Sequence, residues 1–125
     1  MTNVSREAPA LVRHGGANGR FVYLLTSTQT GYFPNQGQYM RASSVSAGFT
    51  LPRDANTGYR DGSALWSGLQ PFGDSSTYYS QSTFVLDIGT AEQPEYLFMG
   101  DRYDTIAGYR STFVWMPLAI DDDAP

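Results

Sequence analysis

No stretch of this chain carries an apolar stripe of helical period for as much as three turns. Strand-like segments take its place: "PALVRH" (9–14), "RFVYLLTS" (20–27), "QYMRASSV" (38–45), "STFVLDI" (82–88), "EYLFMGD" (95–101) and "TFVWMPLAI" (112–120). Each is rich in β-branched or aromatic residues and is bounded by Gly, Pro, Asn or Ser, so the sequence predicts an all-β fold. "GGANG", between the first two, reads as a hairpin turn in which Gly and Asn supply the positive φ. An aromatic content of 14% with 13 Gly and 7 Pro fits a turn-rich β domain better than a helical bundle. The last two segments are apolar on successive residues, as expected of strands covered on both faces. Trp115 is read as core, and Pro117 suits an edge or a bulge.

The chain is read as one all-β unit over 1–125, since 125 residues suffice for one modest domain. Within it, 1–49 and 81–120 are the two sheet-forming parts. Residues 50–80 form a long polar connecting loop, and 121–125 an acidic tail. The two parts share a loose grammar: a strand, a Gly-containing turn, then an aromatic-rich strand. Two such units in series fit two blades of a β-propeller, and they fit a single sandwich of about six strands equally.

Charge and residue type exclude several chemistries. A net charge of −4 lacks the basic footprint that nucleic acid requires, and every basic residue is Arg. With no Cys, neither a disulfide framework nor a thiolate metal site is available. His14 is the only histidine and sits in a predicted turn, which leaves little for a Ser-His-Asp triad or a histidine metal cluster. No apolar run reaches the roughly 20 residues of a membrane helix, and "MTNVSREAP" has no signal-peptide character. Asp101, Asp104 and the tail aspartates match no calcium-loop spacing, so no metal and no cofactor is expected.

Four motifs carry a resemblance. "REAPALV…YLLTS", "TGYFPN", "YYSQSTFVL" and "YLFMGDRYD…STFVWMPL" resemble glycoside hydrolase family 43, in the branch that contains exo-β-1,3-galactanases. The match runs in order along nearly the whole chain, with "GDR", an aromatic and then "VW-PL" as its most specific part. The resemblance implies a five-bladed propeller with a central cleft, of which this chain supplies the last two blades. It implies hydrolysis of β-1,3-galactan from a chain end with inversion, outside the cell.

Within that resemblance Glu7 falls at the general acid, and a glycosidic oxygen leaves poorly unless it is protonated as the bond breaks. Gln81 falls where a base would be expected. Its neutral amide would orient the attacking water or pass a proton through its imidic tautomer, or else simply bind substrate. Tyr32 would stack on a galactose ring, while Thr30 and Asn35 would bond its hydroxyls. Inverting chemistry asks for roughly 6.5–9.5 Å between acid and base. Period-2 alternation puts Gln81, Thr83, Val85 and Asp87 on one face, with Asp87 too far along to replace Gln81. Asp101 and Arg102 are expected to form an ion pair at a strand end. Two blades alone leave apolar faces open, which implies a homo-oligomer or a companion chain carrying the remaining blades. The reading from another class is a non-catalytic module, self-assembling or carbohydrate-binding, derived from such an enzyme.

Overall fold

The computed structural model describes residues 6–14, 21–28, 33–45, 70–90 and 92–121. These form two antiparallel sheets. The first has the order β1-β2-β3-β4, from β1 (Arg6–Arg13), β2 (Val22–Thr28), β3 (Gly37–Ala42) and β4 (Gln70–Phe72). The second has the order β5-β6-β7, from β5 (Gln81–Asp87), β6 (Tyr96–Arg102) and β7 (Thr112–Leu118). The strand Gln70–Phe72 falls inside the stretch read as connecting loop, where it pairs with the start of β3. Three residues with a central proline give no strand signal, and an edge position tolerates that proline because one side needs no donor. Pro117 likewise sits in an edge strand, β7.

The sheets face each other across one core. Ala10, Val12, Tyr23 and Leu25 from the first meet Val85, Tyr96 and Phe98 from the second, all buried. Phe98, only 2% exposed, is packed edge-on against Phe72 with 5.7 Å between ring centroids. Such pairs contribute about 1 kcal/mol beyond the apolar area they bury. β1 and β5 run beside each other where the sheets meet. Their first residues lie together: the Ser82 hydroxyl donates to the Ala8 carbonyl, and the Tyr96 hydroxyl donates to the Arg13 carbonyl at the far end.

Both of these strands bulge close to their start. In β1 the register passes from Glu7↔Ser27 to Ala10↔Leu25, so Ala8 and Pro9 together oppose Thr26. Ala8 takes a left-handed φ of 52° to do so. In β5 the register passes from Ser82↔Gly100 to Phe84↔Met99, leaving Thr83 as the extra residue. The bulge reverses the expected alternation: Val85 turns into the core while Phe84 and Leu86 face outward. One inserted residue changes the parity of every side chain after it.

Trp115 is not core. It is 63% exposed on the outer face of the second sheet, beside Phe113 at 70% and near Phe84 at 52%. The register aligns Phe84, Met99 and Trp115 across the three strands, so this face is a continuous apolar surface.

Candidate functional site

A left-handed turn delivers the chain into β5. Thr77, Tyr78 and Tyr79 have φ of 52°, 56° and 58°, three successive non-glycine residues in a region each of them disfavours. Side chains hold the turn. The Asp74 carboxylate accepts from the amides of Ser76 and Tyr78 and from the Ser76 hydroxyl, at 2.8–2.9 Å. These bonds, led by the Tyr78 amide, hold the Asp74 carboxyl below its usual range. Thr77 is buried, and its hydroxyl links the turn to the first sheet by donating to the Asn35 carbonyl and accepting from the Gly37 amide. The Ser80 hydroxyl closes the turn onto the Thr77 carbonyl at 2.6 Å. From the other side, Gly100 lets β6 come close: a Cβ there would lie 2.8 Å from the Ser80 hydroxyl and 2.9 Å from the Gln81 carbonyl.

The two bulged strands and this turn surround a cleft of about 320 Å³. Glu7 and Gln81 meet in it, and the Gln81 Nε2 donates to Glu7 Oε1 at 3.3 Å. The polar floor continues through Ser80, Ser82 and Thr83. Asp101, opposite Gln81 in the β5–β6 register, adds a second carboxylate to the lining. Tyr79, Tyr103 and Phe113 provide aromatic walls. Hydroxyls, an amide and carboxylates between exposed rings suit a ligand with polar edges and apolar faces.

The structure thus brings Glu7 and Gln81 together from 74 positions apart. Their contact is far shorter than the roughly 6.5–9.5 Å between acid and base that inverting chemistry asks for, so the pair does not stand at that spacing in this structure. Asn35 does not join the lining: its side-chain amide donates to the Phe33 carbonyl at 3.3 Å, and among the described residues of that loop Pro34 reaches the cleft. Thr30 and Tyr32 lie outside the described residues. Asp87 is at the opposite end of β5, accepting from the Gly89 amide. His14 follows the far end of β1, roughly 20 Å along the strand from Glu7, and cannot serve this cleft. Arg102 makes no ion pair with Asp101; its Nε donates to the Tyr78 carbonyl at 2.9 Å and pins the turn. Among the described residues, no group of three His, Cys, Asp or Glu side chains is placed to hold a metal ion. Sequence reasoning missed the aromatic walls. The "YYSQ" stretch ending at Gln81 was the available signal for Tyr79, while Tyr103 and Phe113 come into range only through the β6–β7 pairing.

No family model and no curated protein matches the chain. Solved structures do. An exo-β-1,3-galactanase from Clostridium thermocellum is 34% identical over 96% of this chain and 22% of its own, with a TM-score of 0.67. An exo-β-1,3-galactanase from Phanerochaete chrysosporium, solved with galactose, is 29% identical over 100% of this chain and 24% of its own, with a TM-score of 0.71. A Glu-to-Gln variant of the same fungal enzyme, solved with β-1,3-galactotriose, gives 28% identity and a TM-score of 0.70. The chain therefore spans less than a quarter of the length of these enzymes. In fold and in sequence, this chain is similar to part of the glycoside hydrolase family 43 exo-β-1,3-galactanases and has the architecture of a partial β-propeller.

Proposed function

We propose that this chain forms one wall of a site that hydrolyses β-1,3-linked galactan, with Glu7 as the general acid. The observation that carries the reading is the Glu7–Gln81 pair, at the mouths of two adjacent bulged strands inside an aromatic-walled cleft. In the working state Glu7 gives its proton to the glycosidic oxygen as the bond to the anomeric carbon breaks. Water adds to that carbon from the opposite side, oriented by the Gln81 carbonyl oxygen once its amide has left Glu7. The resulting proton passes to solvent or to a carboxylate on the remaining wall. A polysaccharide does not cross a membrane unaided and is met outside the cell, which is where we place the activity. The rest of the cleft comes from a companion chain or from further copies of this one, seated against the apolar outer face of the second sheet.

The second reading is a carbohydrate-binding module without turnover. The closed 3.3 Å contact favours it, because a pair held together binds hydroxyls as it stands and needs no opening. Reducing-sugar release from β-1,3-galactan by the wild type and by Glu7→Gln separates the two. General acid assistance supplies about 10²–10⁴-fold, so the variant should lose most turnover while retaining galactotriose binding. Equal release by both proteins would remove Glu7 from the chemistry. Binding with no release by the wild type would favour the module.

A further inference from the structure

We infer that a second cavity, adjoining the Glu7–Gln81 cleft, is a subsite for a sugar that carries a carboxylate; the inference rests on the saccharide reading of the first cleft. This cavity has a volume of about 290 Å³, near the lower end of ordinary ligand pockets. It shares Pro34, Tyr79, Tyr103 and Thr112 with the first cleft, so a saccharide bound at Glu7 and Gln81 can extend into it along the two tyrosines.

Three observations give its chemistry. First, Tyr79 lines both cavities, and it is held 69% exposed at the end of the left-handed turn. A segment that spends backbone strain of order 1–3 kcal/mol per residue to display an aromatic ring is a candidate for ligand contact. Second, the Arg102 and Arg110 guanidiniums both line the cavity, and among the described residues neither forms an ion pair. Arg102 is fixed through its Nε on the Tyr78 carbonyl, while Arg110 lies 5.7 Å from the Tyr109 ring centroid. Third, the one carboxylate in the same wall, Asp104, is already engaged: its Oδ1 accepts from the amides of Ile106 and Ala107 at 2.8 and 2.9 Å. Rings take the apolar face of a pyranose, and planar guanidinium forks match a carboxylate, which neutral galactose lacks.

Two disaccharides test this by titration calorimetry on the full chain: β-1,3-galactobiose, and the same disaccharide with its reducing-end sugar oxidised to the uronate. The uronate should bind about fivefold more tightly at low salt, the scale of exposed charge pairs, and the preference should shrink at high salt. Arg110→Gln should remove most of that preference and leave galactobiose affinity unchanged. Arg102→Lys, which keeps the charge but loses the fork, should weaken the preference partly. Equal affinity for the two sugars, or a preference that survives in Arg110→Gln, overturns the subsite while leaving the galactan reading standing. Binding of the uronate alone would support the subsite and sink the galactan reading. Binding of neither overturns both.

Discussion

β1 and β5 solve one geometric problem with different chemistry. Each carries its site residue at the strand mouth and then bulges, which turns the strand and aims the first side chain across at its neighbour. In β1 the backbone cost lies inside the bulge, at Ala8 with a φ of 52°. In β5 the cost is paid earlier, in the turn Thr77–Tyr79, and the bulge itself contains no positive φ. The first strand presents a group that can give up a proton; the second presents an amide that cannot at ordinary pH. Two like frames thus leave room for unlike roles, one for proton transfer and the other for orientation.

The largest test of that division is at the acid. Glu7→Gln makes the two strand mouths chemically alike, and activity should fall by about 10²–10⁴-fold with an unchanged fold. Gln81→Ala should instead lower turnover by about tenfold, with less change in the Michaelis constant, because water placement matters most in the transition state. If Gln81→Ala changed only the Michaelis constant, both strand mouths would be binding elements and the contrast would dissolve.

The backbone half of the comparison is tested by Ala8→Val. A β-branched residue at this φ should destabilise the chain by about 1–3 kcal/mol, read from chemical denaturation, whereas Ala8→Gly should be close to neutral. Equal stability of the Val variant would mean that the β1 bulge relaxes freely. In β5 the corresponding probe is pH. Asp74 is held below its ordinary value of 3.8 by the amides of the turn, chiefly that of Tyr78. A carboxyl with a depressed folded value supports the fold above its unfolded value, and that support is lost as pH falls through the folded one. Acidification below about 3.8 should therefore loosen the turn, and Asp74→Asn should flatten this part of the acid profile of tyrosine fluorescence. The effect should be small, since the carboxylate is exposed and its bonds are local.

Much of the sheet structure was legible because β-branched and aromatic runs bounded by turn residues need no long-range information. The bulges were not. An extra residue such as Thr83 leaves no mark on composition, yet it exchanges the inner and outer faces of everything up to Asp87. Trp115 was misplaced for a related reason: an apolar run suggests cover on both sides, and only one side of β7 is covered among the described residues. The left-handed turn runs against local preference, as Thr and Tyr both disfavour positive φ, so its anchors at Asp74, Asn35 and Gly37 had to be seen in space. The pairing of Glu7 with Gln81 depended on the family resemblance; no spacing rule joins residues so far apart.

That long separation has a consequence for how the molecule reaches its working shape. Four of the five strand pairings close over fewer than ten residues and only β3–β4 spans a longer stretch, but Glu7 meets Gln81, 74 positions along the chain, only after all of the intervening chain has been looped back. The cleft is then among the last features to form, after the sheets have docked through Phe98 and its partners. A chain with both sheets intact but undocked would keep its β-sheet circular dichroism and have no cleft at all. Ligand binding would then report the docking step itself, and the saccharide would act as the clasp that shifts the population toward the assembled form.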